Sequence, residues 1–400
     1  MRTVPDHQQV VADLIATTAV RAVPLAEALG RALGSEVVAP RPLPAFDNSA
    51  MDGYAVRAAE ITPASEQDPV LLPVSADIPA GRLDVPALTP GSAARIMTGA
   101  PMPVGADAVV QVEATDGGTG VVAIRESRPV GVHVRFAGED VAAGESVMLP
   151  GATLGPSQLG LLAALGLPTV EVREPVRVLV LSTGSELVPP GEDLLPGQIH
   201  ESNGLMLAAA VREAGGVAIQ LHAVADDVDE FHAALAPHLA TTDLVLTSGG
   251  VSAGAYEVVK DALTGQGVEF VKVAMQPGMP QGAGRFAGVP VVTLPGNPVS
   301  SMVSFEVFVR PAIRAAMGYA ETHRPVVRAV LTEALTSPAG KRQFRRGLLV
   351  SSVQGATVRP IGPPASHYLR WLAASNALLD VPVEINGLAA GDEVDVWPLG

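Results

Sequence analysis

The sequence predicts a multidomain α/β and β protein. Its parts are a central doubly wound, mostly parallel sheet domain, a β-rich inserted domain, a small helical or mixed domain and a C-terminal small β-barrel. Three observations carry this. Residues 175–317 alternate apolar runs of strand length with helical segments, as βαβ units do. Residues 40–129 and 324–400 break into short apolar segments between Gly, Pro and Asp turns, the texture of β-rich domains. At roughly 100–200 residues per domain, the length allows about two to four of them.

In chain order, residues 6–18 and 24–33 read as short helices, with Asp6 a candidate N-cap. Short strands follow at 70–74, 94–97, 108–112 and 121–124. A helix is expected over 156–165, with Pro156 at its start and Gly166 at its stop. Residues 176–181 form a continuous apolar run, as a strand buried on both faces requires. Then come helix 203–214, capped by Ser202 or Asn203, strand 217–225, helix 228–239 and strand 243–247. Helix 256–263, strands 268–274 and 289–294, and a long helix over 299–317 complete the region. Strands at 326–331, 347–351, 357–360 and 393–397 suggest a small β-barrel or sandwich, of which the barrel is the expectation. The expected domains are 1–39 plus 138–173 (helical or mixed), 40–137 (β-rich insert), 174–322 (α/β) and 323–400 (barrel).

Composition removes several functions. With no cysteine, the chain has no disulfide, thiolate metal site or cysteine nucleophile. A net charge of −15 opposes general nucleic-acid binding, which needs phosphate-neutralising cations. No apolar run approaches ~18 residues, so no membrane span is expected. The N-terminus lacks an apolar signal core, so the expected location is cytoplasmic. The acidity is regional: residues 1–320 hold 18 basic and 34 acidic side chains, residues 321–400 hold 8 and 7.

In the α/β region each unusual loop follows a predicted strand, and such loops gather at the carboxyl edge of a parallel sheet, where ligands bind. They are Ser182-Thr183-Gly184-Ser185-Glu186, Asp226-Asp227, Ser248-Gly249-Gly250-Val251-Ser252, Gln276-Pro277-Gly278 and Pro295-Gly296-Asn297-Pro298. Gly-rich turns of this kind offer backbone N–H groups to an anion. Neither a P-loop nor a G-x-G-x-x-G fingerprint is present. Glu186, Asp226, Asp227 and Glu257 flank the same edge, and hard carboxylates beside a phosphate site suit Mg²⁺. The eight histidines show no metal-ligand spacing, and no G-x-S-x-G elbow supports a serine triad. Residues 341–346 place four cations in six positions; such a run is usually a solvated face, but in an acidic chain it is anomalous and makes an oxyanion pocket a candidate. Asp47-Asn48-Ser49-Ala50-Met51-Asp52 is turn-prone, and its chemistry is open from the residues alone.

Taken together, Asp47-Asn48-Ser49-Ala50-Met51-Asp52-Gly53-Tyr54, Arg95-Ile96-Met97-Thr98-Gly99-Ala100-Pro101, Gly138-Glu139-Asp140-Val141, Ser182-Thr183-Gly184-Ser185-Glu186-Leu187, Ser248-Gly249-Gly250-Val251-Ser252 and Leu294-Pro295-Gly296-Asn297-Pro298-Val299-Ser300 resemble the signatures of the molybdopterin molybdenumtransferase family. The resemblance runs in the same order over about residues 40–376. It implies insertion of molybdenum from molybdate into adenylated molybdopterin, with release of AMP and Mg²⁺ as cofactor. It implies a homodimer with an active site shared between subunits, and a molybdopterin adenylyltransferase as a possible partner. Asp52, Thr98, Glu186 and Asp226 match functional positions, with Glu186, Asp226 and Asp227 as candidate metal ligands. Ser248, Gly249, Gly250, Ser252, Glu257, Pro295, Gly296, Asn297 and Pro298 are the candidate substrate contacts. Gln276 and Met279 stand where many members carry lysine, and Glu257 where an Asp is common. Arg342, Arg346 and Ser366 are therefore expected to supply the oxyanion contacts. The alternatives are a tungsten-inserting or non-catalytic molybdopterin-binding paralogue and a scaffold protein.

Overall fold

The structure, a computed structural model, describes residues 1–221, 227–250 and 258–399. It divides into two compact units: Met1–Ser35, Pro150–Gly155 and Glu171–Gly400, and Glu36–Leu149 with Pro156–Val170. The four-domain division read from the sequence is finer than these two units.

In the unit containing residues 36–149, a five-stranded sheet runs in the order Ala108–Gln111, Gly53–Val56, Ala93–Ile96, Val70–Ile78, Val121–Ile124. Alternation sends Tyr54, Val56 and Val110 into one core and Ala55 and Val109 into another. The helix Pro156–Ala164 belongs to this unit.

The other unit begins with α1 (Val4–Leu14). Its N-cap is Thr3, whose Oγ1 accepts from the Asp6 backbone N–H, so Asp6 is capped and does not cap. The helix expected at 24–33 is a single 3₁₀ turn, Leu25–Glu27. Gly30 then turns left-handed (φ +76°), and Ala32 and Leu33 bridge to Thr153 and Val172. Backbone pairing outweighs the weak helical preference there.

The central sheet has six strands: β1 (Arg177–Ser182), β2 (Val217–Gln220), β3 (Leu244–Ser248), β4 (Val268–Lys272), β5 (Pro280–Phe286) and β6 (Val289–Leu294). The order is β2-β1-β3-β6-β5-β4. The first four are parallel, and β5 is antiparallel to both of its neighbours. The apolar run in β1 is explained by burial on both faces. Val178 and Val180 pack beneath α2 (Asn203–Glu213), α1 and the helices after β6, while Leu179 and Leu181 pack beneath α3 (Val228–Leu235) and α4 (Val258–Leu263). Strand β5 was hidden by its glycines, which read as turn punctuation. They are spacers: a Cβ on Gly284 would sit 2.1 Å from the Gly267 carbonyl oxygen.

The long helix expected at 299–317 is interrupted. α5 (Pro298–Ser304) passes through a π turn, Phe305–Val309, into α6 (Arg310–Ala316). Arg310 N donates to Phe305 O, and the wider turn accommodates Pro311, which has no N–H to continue the ordinary ladder.

The C-terminal barrel contains β7 (Val327–Leu331), β8 (Arg342–Ser352), β9 (Gly355–Pro360), β10 (Ala377–Val381) and β11 (Glu393–Pro398). The order β8-β9-β7-β11-β10 closes because β10 pairs back with β8. Met275–Gln276 adds to β8 in parallel, opposite Arg342 and Gln343, which joins the loop after β4 to the barrel. No helix of the described residues is long and apolar enough to cross a membrane.

One buried group makes this core sensitive to pH. His7 is buried edge-on to Phe308, with ring centroids 4.7 Å apart. Burial, with a smaller push from Arg2, lowers its pKa from 6.5 to about 4. The unfolded chain then binds a proton that the folded chain refuses, so stability falls as pH drops from about 6.5 through 4. The loss approaches about 3 kcal/mol over that window. Urea midpoints at pH 7 and pH 4.5 for wild type and His7→Gln check this: the wild type is expected to lose more. Equal losses would show that His7 does not contribute.

Candidate active site

From β1 the chain crosses to β2 on one side and then to β3 on the other, so the strand order reverses between β1 and β3. At such a switch point the carboxyl-end loops diverge and leave a crevice. A cavity of about 900 Å³ occupies it, walled by the loops after β1, β3, β4 and β6 and roofed by Lys341 and residues 364–367 and 369 of the barrel region. Among the sequence-predicted residues, Glu186, Ser248, Gly249, Gly250, Pro295, Gly296, Asn297, Pro298 and Ser366 line this single cavity. Asp226, Ser252 and Glu257 lie outside the described residues.

The loop after β3 needs glycine. Gly249 has φ +103°, and a Cβ there would lie 2.8 Å from the Thr183 carbonyl oxygen. The loops are locked together through backbone groups. Thr183 N donates to Ser248 O (3.2 Å), Gly249 N to Leu294 O (3.1 Å) and Val299 N to Ser366 O (3.0 Å). Those N–H groups are spent within the protein, which leaves less backbone cradle for an anion than glycine content suggests.

At α2, Ser202 is the N-cap residue but makes no side-chain cap bond. The carboxylate of buried Glu201 does that work, accepting from Gly204 N (2.6 Å) and Ser182 Oγ (2.8 Å). Asn203 Nδ2 instead donates to Ser248 Oγ (2.9 Å) and Gly296 O (2.6 Å). Sequence reasoning saw a helix cap in a residue that ties three loops together.

The expected cation contacts need correction. Arg342 forms a bidentate pair with Asp380, Nε to Oδ1 at 2.7 Å and Nη2 to Oδ2, and does not line the cavity. Hydrogen bonding to Asp380 raises its pKa. Arg346 is buried and donates to the carbonyls of Pro363, Ala365 (3.3 Å) and Tyr368 (3.4 Å), with burial lowering its pKa. It supports the loop bearing Ser366 from behind. Among the described residues, Lys341 is the one Lys or Arg on the cavity wall. Of the cluster at 341–346, the structure puts Lys341 and neither Arg342 nor Arg346 on the cavity wall; the carboxylate that claims Arg342 lies 38 residues away in sequence.

Asp227, a candidate metal ligand, is not among the residues lining the cavity. It is the N-cap of α3, its Oδ1 accepting from Glu230 N (2.9 Å). No group of three or more His, Cys, Asp or Glu converges among the described residues. The exposed Glu186 carboxylate on the cavity wall fits Mg²⁺, an ion that takes one or two carboxylates and completes its shell with phosphate and water.

In the other unit, Asp52 and Thr98 meet. Asp52 Oδ1 accepts from Thr98 N (2.6 Å) and Thr98 Oγ1 (2.9 Å). The backbone bond first, then the hydroxyl, hold the Asp52 carboxyl below the usual carboxylate range. The carboxylate is exposed and ionised at neutral pH.

Comparison with known proteins covers nearly the whole chain. Family descriptions match at residues 2–166 ("MoeA N-terminal region (domain I and II)"), 179–315 ("Probable molybdopterin binding domain") and 328–399 ("MoeA C-terminal region (domain IV)"). The chain is 58% identical over 406 residues to molybdopterin molybdenumtransferase 2 of Mycobacterium tuberculosis (strain ATCC 25618 / H37Rv), covering 100% of both chains. It is 34% identical to the molybdopterin molybdenumtransferase of Bacillus subtilis (strain 168), over 94% of this chain and 88% of that one. Among solved structures, a molybdopterin biosynthesis moeA protein from Pyrococcus horikoshii OT3 superposes with a TM-score of 0.84 at 30% identity, covering 100% of both chains.

Proposed function

The chain belongs to the molybdopterin molybdenumtransferase (MoeA) family, whose enzymes insert molybdenum during cofactor biosynthesis, and from that premise we propose how its own residues do so. The cavity at the β1–β3 switch point takes adenylated molybdopterin, accepts molybdate as the metal source and releases AMP. The observation that supports this is the convergence of four carboxyl-edge loops and one barrel cation on a single cavity. In this reading the Lys341 ammonium attracts the oxyanion, and the Ser366 hydroxyl hydrogen-bonds to it. Glu186 holds Mg²⁺, with Asp226 as the second candidate ligand. Held there, Mg²⁺ would supply positive charge to offset that on the phosphate oxygens. Asp52, kept ionised by Thr98, orients the attacking water from the second subunit of the proposed homodimer. The molybdopterin dithiolene brings the sulfur that holds molybdenum, consistent with a chain that has no cysteine. The proposed assembly is a cytoplasmic homodimer with a shared active site, supplied by a molybdopterin adenylyltransferase.

The test is a single-turnover incubation with adenylated molybdopterin, Mg²⁺ and molybdate, following AMP and protein-bound molybdenum together. Stoichiometric AMP release that depends on molybdate supports the reading, and release without metal capture overturns it. Lys341→Ala is expected to raise the molybdate concentration for half-maximal insertion by roughly tenfold, the scale of one charge-assisted contact. Unchanged molybdate dependence would remove Lys341 from the oxyanion site.

A further inference from the structure

A second cavity, about 730 Å³ in volume, lies at the amino ends of the central strands, within the same compact unit as the sheet. It is bounded by the first residues of β1, β2 and β6, the approach to β3, the β5–β6 hairpin and the segment that follows α1. The loops of the candidate active site leave the opposite ends of the same strands. The six residues of β1 separate the two sites by about 20 Å at the rise of a strand.

The charge of this cavity runs against that of the chain. Arg21, Arg31, Arg177 and Arg285 line it against Glu174 and Asp243, a surplus of two positive charges in a chain of net charge −15. The carboxylates are unevenly placed. Asp243 claims Arg177 in a bidentate pair, Nε to Oδ2 at 3.0 Å and Nη2 to Oδ1 at 2.8 Å. Glu174 comes no nearer to Arg21 than 3.9 Å, and both side chains are exposed. Arg285 is held by two carbonyls that also belong to the cavity wall, Nη1 to Gly288 O at 3.1 Å and Nη2 to Leu14 O at 2.6 Å. Carbonyls fix the guanidinium without cancelling its charge, and they use two of its five N–H groups. Half-buried Arg31 makes no side-chain hydrogen bond or ion pair with any described residue. Cations collected in this way repel one another until an anion joins them.

We infer that this cavity is a second anion site, separate from the candidate active site, and that it takes a small molecule carrying a chain of two or more phosphates. Its three uncancelled guanidinium groups arrive from separate elements: Arg21 from the strand Val20–Pro24, Arg31 from the segment after the turn Leu25–Glu27, and Arg285 from β5. The oxygens they meet must point in several directions. Linked tetrahedral phosphates offer that, and a single planar carboxylate does not.

Calorimetric titration of the full chain, in Mg²⁺-free buffer at physiological ionic strength, tests this with inorganic tripolyphosphate and citrate. The wild type is expected to bind tripolyphosphate about tenfold more tightly than citrate. Arg31→Gln breaks no described contact, so its thermal midpoint without ligand should equal that of the wild type. Its affinity for tripolyphosphate should fall roughly tenfold, the scale of one charge-assisted contact. Arg285→Gln should weaken the same probe and also lower the midpoint, because it releases the Leu14 carbonyl. Lys341→Ala, at the other cavity, should change tripolyphosphate affinity by less than about twofold, and Arg31→Gln should release AMP in single turnover at the wild-type rate. A loss in Lys341→Ala with none in Arg31→Gln puts the phosphates in the other cavity and overturns the inference. Citrate binding as tightly as tripolyphosphate overturns it too, as does a wild type that binds no tripolyphosphate at millimolar concentration. A wild type that releases no AMP counts against the functional reading alone, because the binding arms decide this inference without it.

Discussion

Replacing Glu186 by Gln is expected to lower AMP release and molybdenum insertion by about 10²–10³-fold, the scale of removing one preorganised electrostatic contact to a reacting group. The thermal midpoint is expected to stay within about 1 °C, because exposed side chains outside packed networks contribute little to stability. Glu186 sits on an exposed turn after β1, its carboxylate facing the space above Gly184. Gln keeps the shape and loses the charge, so Mg²⁺ dependence should weaken together with rate. Asp52→Asn is the parallel case in the other unit and should also fold normally, its amide oxygen still accepting from Thr98. Near-wild-type turnover in both variants would remove both residues from the site. Separate outcomes are informative: a loss in Glu186→Gln that excess Mg²⁺ partly restores assigns the metal role, and a loss in Asp52→Asn that it does not restore assigns the water-orienting role.

Removing Arg324 or Glu306 singly is expected to cost about 3–5 kcal/mol of folding stability, because each breaks a buried bidentate pair and leaves the partner's charge only partly compensated by Glu213 or Arg310. The Glu306 side chain is fully buried in the π turn between α5 and α6. Arg324, just before the barrel, meets both of its oxygens, Nε to Oε2 at 2.9 Å and Nη2 to Oε1 at 3.0 Å. Its Nη2 also reaches Glu213 Oε2 at 2.8 Å, and Arg310 approaches the same two glutamates at 3.4 and 3.8 Å. Burial opposes the charge on Arg324, but the bonds from Glu306 and Glu213 outweigh it and raise its pKa. Urea denaturation of Arg324→Ala, Glu306→Ala and the double replacement Glu306→Leu with Arg324→Met checks the prediction. The double variant should lose less than either single one, since no charge is stranded. The exposed Arg328–Glu393–Asp395 cluster is the internal control, where Arg328→Ala should cost no more than about 1 kcal/mol. A cost that small for Arg324→Ala would make the buried network incidental. The network anchors the segment leading into the barrel, and the barrel carries Lys341, so a partly stable Arg324 variant should also show weaker molybdate dependence.

Much of the α/β unit was legible in the sequence for a local reason. A strand buried on both faces must be apolar at every position, and a helix on that sheet must show a stripe, so β1, β3, β6 and α2 announce themselves. The loops that follow the parallel strands then fall on one edge by topology alone. Less was legible where a residue answered to a distant partner. Gly282 and Gly284 look like turns and are spacers between strands. Residues 24–33 look helical and are drawn into bridges with Thr153 and Val172. Asp227 is a candidate metal ligand in the sequence, and only the structure shows that it also caps α3.

The sequence by itself determined the fold class, the family and the edge of the sheet that carries the cavity, because those follow from local periodicity and from motifs contiguous in the chain. Only the tertiary structure decided which charged and polar atoms face that cavity. Arg342 is claimed by Asp380, Arg346 by three carbonyls, and the Asn203 amide by Ser248 and Gly296, leaving Lys341 as the Lys or Arg on the wall among the described residues. A side chain's chemistry is available only if nothing nearer in space has already taken it, and nearness in space is what a one-dimensional pattern does not record.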